Sequence, residues 1–166
     1  MKILGIDPGL ATTGYGIIEI KGSKMTHIDC GTLSTPAKIS LAERLKIIGK
    51  TFKSLLDEYI ITDIAIEDLF FNTNTKTAMA VAQARGVLLY LSEEARLNIS
   101  SYTPPQIKAG ICGYGQASKS QVKYMVKKLL NLQFDPKPDD AADALAIAIC
   151  HSNYRTTHQK LKQSND

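Results

Sequence analysis

The sequence predicts an α/β layer fold with a mixed sheet, and three observations carry that prediction. Short apolar runs open the chain as a hairpin series, Lys2–Ile6, Gly14–Ile20 and Met25–Leu33. From there apolar runs alternate with stretches of helical spacing, the pattern of helices laid over a sheet. The length, 166 residues, is that of one domain able to bury its own core.

Each element has a local reason. Asp7-Pro-Gly closes the first strand in a turn, and Lys21-Gly-Ser-Lys joins the next two as an antiparallel hairpin. Ser40 with Glu43 forms a capping box, followed by Leu41, Leu45, Ile48, Phe52, Leu55 and Leu56 on one stripe. Asp63–Glu67 alternates as a short fourth strand. Thr75 to Ala95 reads as a long helix apolar on most sides, which fits either a twofold subunit interface or a central helix within the monomer. Asn98–Tyr102 is a fifth strand, ended by Pro104-Pro105. A short helix over Gln106–Ile111 follows, then one from Lys119 to Leu130 with Lys119, Lys123, Lys127 and Lys128 on its polar side. The last helix is predicted over Asp139–Asn153. Residues 1–153 are thus read as the domain, and the polar 154–166 as a disordered tail.

Composition excludes several classes. At 44% hydrophobic and 22% charged residues the chain is ordinary for a globular protein. Cys30, Cys112 and Cys150 are widely spaced and lack CxxC pairing, so they read as reduced thiols in a cytoplasmic protein rather than a zinc site. Asp7, Pro8 and Gly9 interrupt what would be the apolar part of a signal peptide, and no run is long enough to span a membrane. A net charge of +4 permits a polyanionic partner without requiring one.

The chemistry is sought in four acids: Asp7, Glu67, Asp140 and Asp143. Asp7 and Glu67 end apolar strands, where a carboxylate is held rigidly at a sheet rim. Asp140 and Asp143 are three residues apart at a helix start, within roughly 60° of each other around the axis. Asp139 and Asp143, four apart, would also share a face, so spacing leaves the register open. Acids at a helix start also complement its dipole, which explains Asp139 and Asp140 better than it explains Asp143. Converging carboxylates repel one another unless a hard cation lies between them, and two such cations support phosphodiester hydrolysis. Gly9, Gly14 and Gly16 leave room for backbone or phosphate to approach Asp7. Phe70 and Phe71, in a polar segment after Glu67, either stack on an unpaired base or dock on the core. Lys108, Lys119 and Lys123 suit phosphate contacts, or else form a solvated face.

Several segments together carry a resemblance: I-D-P-G-L-A-T-T-G-Y-G, I-E-D-L-F-F-N-T-N, A-V-A-Q-A-R-G-V, K-S-Q-V-K-Y-M-V and D-D-A-A-D-A-L-A-I-A. In this order, over residues 1 to about 151, the chain resembles the RuvC family of bacterial Holliday-junction resolvases. The resemblance implies an RNase H-like fold, a five-stranded mixed sheet flanked by helices, acting as a homodimer. It implies an endodeoxyribonuclease that nicks four-way junction DNA symmetrically with two Mg2+ or Mn2+ ions per site, in recombination and repair. Asp7, Glu67, Asp140 and Asp143 would hold the metals, the family spacing selecting Asp140 over Asp139. Phe70 would stack on junction bases, and Lys108 and Lys119 would sit near the scissile phosphate. The long helix from Thr75 would form the dimer interface, and a RuvA–RuvB branch-migration complex would be the partner.

Two rivals share features of the opening motif. A YqgF-type nuclease of the same fold, acting on structured RNA, also begins with a D-x-G strand turn. The paired phenylalanines, lysine-rich helix and D-x-x-D helix start favour the resolvase. The phosphate loop of actin-like kinases is similar too, but those enzymes need two such domains around a nucleotide.

Overall fold

The computed structural model describes residues 1–69 and 75–163. A five-stranded sheet forms its centre, in the order β3-β2-β1-β4-β5. The strands are β1 (Lys2–Asp7), β2 (Thr12–Lys21), β3 (Lys24–Ser34), β4 (Asp63–Glu67) and β5 (Asn98–Tyr102). β1, β2 and β3 pair antiparallel, while β4 and β5 join parallel to β1, so the expected mixed sheet is present. Gly22 alone takes positive φ in the two-residue turn between β2 and β3, the position at which a tight hairpin turn calls for glycine.

Helices α1 (Leu41–Glu58) and α2 (Thr75–Glu94) cover one face; α3 (Pro104–Cys112), α4 (Lys119–Leu129) and α5 (Asp139–Gln163) cover the other. The predicted capping box is formed, with Ser40 accepting from the Glu43 N–H and Glu43 accepting from the Ser40 N–H. Strand alternation divides the core into two layers. Leu4, Ile6, Ile64 and Ile66 pack with Ile48, Phe52 and Leu88 on the α1–α2 side. Ile3 and Ala65 face Leu145, Ile147 and Ile149 on the other. By the same alternation Asp7 and Glu67 project toward the α5 side.

α5 lies directly on the sheet because glycine gives it room. A Cβ at Gly14 would collide with the Asp140 carbonyl, and one at Gly5 or Gly16 would meet the backbone of Ala144 or Leu145. The space expected near Asp7 for phosphate is therefore taken, at Gly14 and Gly16, by the protein's own helix.

One expectation is corrected. The last helix does not stop at Asn153 but continues to Gln163, so most of the tail read as disordered is helical. Asp63 supplies the physical reason: its side chain is 1% exposed and pairs with Arg155, one turn beyond His151. A buried carboxylate without a partner is costly, and Arg155 joins Thr62 and His151 around this one, which ties the helix down as far as Arg155. No Gly or Pro in 154–163 opposes that extension. The choice left open for α2 narrows, because it buries Ala84, Leu88 and Ser92 and leaves Met79 and Tyr90 exposed.

Candidate active site

The parallel register of β1 and β4 runs Ile3–Asp63, Leu4–Ile64, Gly5–Ala65 and Ile6–Ile66. One further step places Asp7 beside Glu67, at the carboxyl ends of adjacent strands. Their carboxyls share a hydrogen bond. Across from them, the first turns of α5 bring in Asp140 and Asp143, held close by the Gly14 and Gly16 contacts.

Asp7, Glu67 and Asp143 line a cleft of about 240 Å³ together with residues from two further helices. Asp7, Glu67 and Asp143 form its acidic wall; Lys108 of α3 and Lys119 of α4 stand in the same cleft, with Ile107 and Val122 making its apolar floor. Asp140 does not line the cleft, but it is near enough for its charge to act on Asp7.

Electrostatics mark the site. Burial, then the negative charges of Glu67, Asp143 and Asp140, push the Asp7 carboxyl from 3.8 up to about 8. Burial also raises Glu67. Lys119 sits 2.9 Å from the Asp143 carboxylate, which raises the pKa of its ammonium and holds it charged. Rigid hard oxygen donors that repel one another fit a divalent cation by their chemistry. Among the described residues, however, no three Asp, Glu, His or Cys side chains already stand grouped as a closed metal nest.

At the start of α5 both pairings leave a mark, Asp139 and Asp143 sharing Lys119 at 3.6 and 2.9 Å. Asp139 points to the lysines of α4, 2.5 Å from Lys123 and 3.6 Å from Lys119, whereas Asp140 acts on Asp7. Lys123 does not line the cleft; its partner is Asp139. Phe70 and Phe71 lie outside the described residues.

Sequence reasoning missed two supports. Arg85 of α2 donates to the Glu67 carbonyl at 3.2 Å, to Asp68 at 2.6 Å and to Ser101 at 2.7 Å. It therefore braces the end of β4 that carries Glu67. The A-R-G of the α2 motif was its only trace in the sequence. Asp63 was the other, counted in the sequence only as the first residue of the fourth strand.

A five-stranded mixed sheet between helical layers, with strand-end carboxylates facing the start of the last helix, defines an RNase H-like fold bearing a nuclease-type acidic cleft. The profile of the family described as Crossover junction endodeoxyribonuclease RuvC matches residues 3–151. The chain belongs to this family. The RuvC of Halothermothrix orenii is 52% identical over 160 residues, covering 96% of this chain and 97% of that protein. That of Clostridioides difficile is 48% identical over 162 residues, covering 98% and 96%. The structure of Thermus thermophilus RuvC in complex with a Holliday junction substrate superposes with a TM-score of 0.90 at 32% identity, covering 95% of this chain and 96% of that one.

Proposed function

We propose that this protein is a structure-selective endodeoxyribonuclease that resolves four-way DNA junctions by paired symmetric nicks, through metal-dependent phosphodiester hydrolysis in recombination and repair. The observation that carries the reading is the Asp7–Glu67–Asp143 wall, crowded enough to push Asp7 to about 8 and faced by Lys108 and Lys119 across one cleft.

Asp7, Glu67, Asp140 and Asp143 are assigned as the metal ligands, for two Mg2+ or Mn2+ ions. When bound, such a pair supplies an activated water and stabilisation of the departing 3′-oxygen. The protein's own groups do the rest. Glu67 is fixed through its backbone by Arg85, and Asp7 by the strand beside it. Lys119 and Lys108 bring positive charge to the cleft, where a phosphate would otherwise meet an acidic wall. Ile107, Val122 and Ile147 narrow its apolar side and limit water beside the reacting phosphate.

Two nicks placed symmetrically require two sites related by a twofold axis, hence a homodimer. The face offered for it lies between α1 and α2, an apolar groove of about 930 Å³ lined by Leu41, Leu45, Val87, Tyr90 and Leu91. Cooperation with a RuvA–RuvB complex and a cytoplasmic setting complete the reading. No described helix is long and apolar enough to cross a membrane.

The test is cleavage of a synthetic four-way junction beside linear duplex and structured RNA, with and without Mg2+. Junction-selective, metal-dependent cleavage is expected. Preference for the RNA would transfer the site to the YqgF-type activity.

A further inference from the structure

α4 and the chain that returns beside it form an antiparallel ladder of charge. Lys119, Lys123 and Lys127 are four residues apart on one side of α4, rising about 6 Å per step away from the cleft. The returning chain answers with Asp143, Asp139 and Asp135. Asp143 pairs with Lys119 at 2.9 Å, Asp139 with Lys123 at 2.5 Å, and Asp135 with Lys127 at 2.7 Å. Asp139 also reaches Lys119 at 3.6 Å, linking the first two rungs.

Only the first rung belongs to the cleft. Asp143 is part of the acidic wall, but Asp139 and Asp135 are 61% and 72% exposed and line no part of it. Stability does not account for them, because exposed ion pairs contribute little. Their effect is on the lysines. A row of ammonium groups leading out of a phosphodiester-cleaving cleft is a track for a DNA backbone, and each outer lysine already holds an anion.

We propose that Asp139 and Asp135 are built-in counter-anions, standing where backbone phosphates would bind along the α4 lysine row and setting how tightly DNA is held there. The inference rests on the junction-cleaving reading of the cleft. Because the outer rungs are exposed and individually weak, a phosphate displaces the carboxylate by exchanging one anion for another. Lys123 and Lys127 then add less affinity for any nearby duplex than unpaired lysines would. Binding depends correspondingly more on contacts that only the correct DNA shape makes.

The test is junction binding in EDTA across a salt series, with full-length wild type, Asp139→Asn, Lys123→Met and the double variant. Asp135→Asn with Lys127→Met provides an independent second rung. Asp139→Asn should tighten binding roughly two- to fivefold at low salt. It should also steepen the dependence of log K on log salt by close to one, as a lysine freed for phosphate requires. Both changes should shrink in the Lys123→Met background to what Lys119, 3.6 Å from Asp139, can carry, and those of Asp135→Asn should vanish with Lys127→Met. Unchanged or weaker binding by both Asp→Asn variants would overturn the proposal. So would a gain undiminished by Lys123→Met, or a gain by Asp135→Asn that survives Lys127→Met, since either is only an effect of net charge. If wild type itself fails to bind the junction at any salt, the junction reading falls and the counter-anion proposal falls with it.

Discussion

At Asp7 two effects push the carboxyl the same way: burial removes water, and Glu67, Asp143 and Asp140 add negative charge. The sign of the consequence follows from linkage. Folding raises the carboxyl from 3.8 to about 8, so over that interval the folded chain retains a proton that the unfolded chain has lost. Its contribution to stability is present below 3.8 and is lost as pH rises toward 8. In metal-free protein the thermal midpoint of the wild type should therefore fall between pH 5 and 8 more steeply than that of Asp7→Asn. The variant should be the more stable at pH 8, a gain that accompanies loss of catalysis. Parallel profiles would contradict the crowding of the site. At this scale the sequence was readable at the strand-end acids Asp7 and Glu67 and at Asp143 in the first turns of α5, which the fold brings to one cleft. It was unreadable at Arg85 and Asp63, whose partners lie far along the chain and are met only after folding. Asp139 and Asp140 differ by one helical step of about 100°, which turns one to the lysines and the other toward Asp7.

Among the elements, α5 decides the geometry. Its first turns carry Asp140 and Asp143, its middle packs on Gly5 and Gly16, and Arg155 anchors its far half to Asp63. Gly14→Ala sets a methyl against the Asp140 carbonyl oxygen and carbon, backbone atoms that cannot rotate aside as a side chain could. Overpacking of this kind costs about 1–3 kcal/mol. Catalysis should suffer more than stability, because moving a catalytic group by about 1 Å can cost on the order of 10²-fold. Chemical denaturation and cleavage rates measured together check both effects; a variant with native stability and rate would contradict the packing. Strand ends were legible because alternation and turn residues fix them locally, and β4 and β5 fall where their patterns place them. The end of α5 was not. A polar stretch without apolar period looks unstructured, yet this one continues as helix, tied at Arg155 to a buried carboxylate on a distant strand.

The whole molecule combines a cleft on one face of the sheet with an unpartnered apolar groove between the helices of the other. Tyr90 is 66% exposed within that groove's lining, so Tyr90→Glu should leave the fold intact while converting the proposed dimer to monomer in sedimentation. A dimer unaffected by the charge would place the twofold contact elsewhere. The pattern of α2 alone could not choose between interface and core, since an apolar helix fits both. Its position on the outer layer leaves that surface uncovered within one chain. The central claim joins both faces: one acidic cleft per protomer, two protomers, two matched cuts. It is tested most directly by mapping the nicks made in a synthetic four-way junction with Mg2+ by wild type and by Asp7→Asn. Equal junction binding by both proteins is predicted, with paired nicks at symmetric positions from the wild type alone. Cleavage by Asp7→Asn at the wild-type rate, or single unpaired nicks from the wild type, would contradict the account.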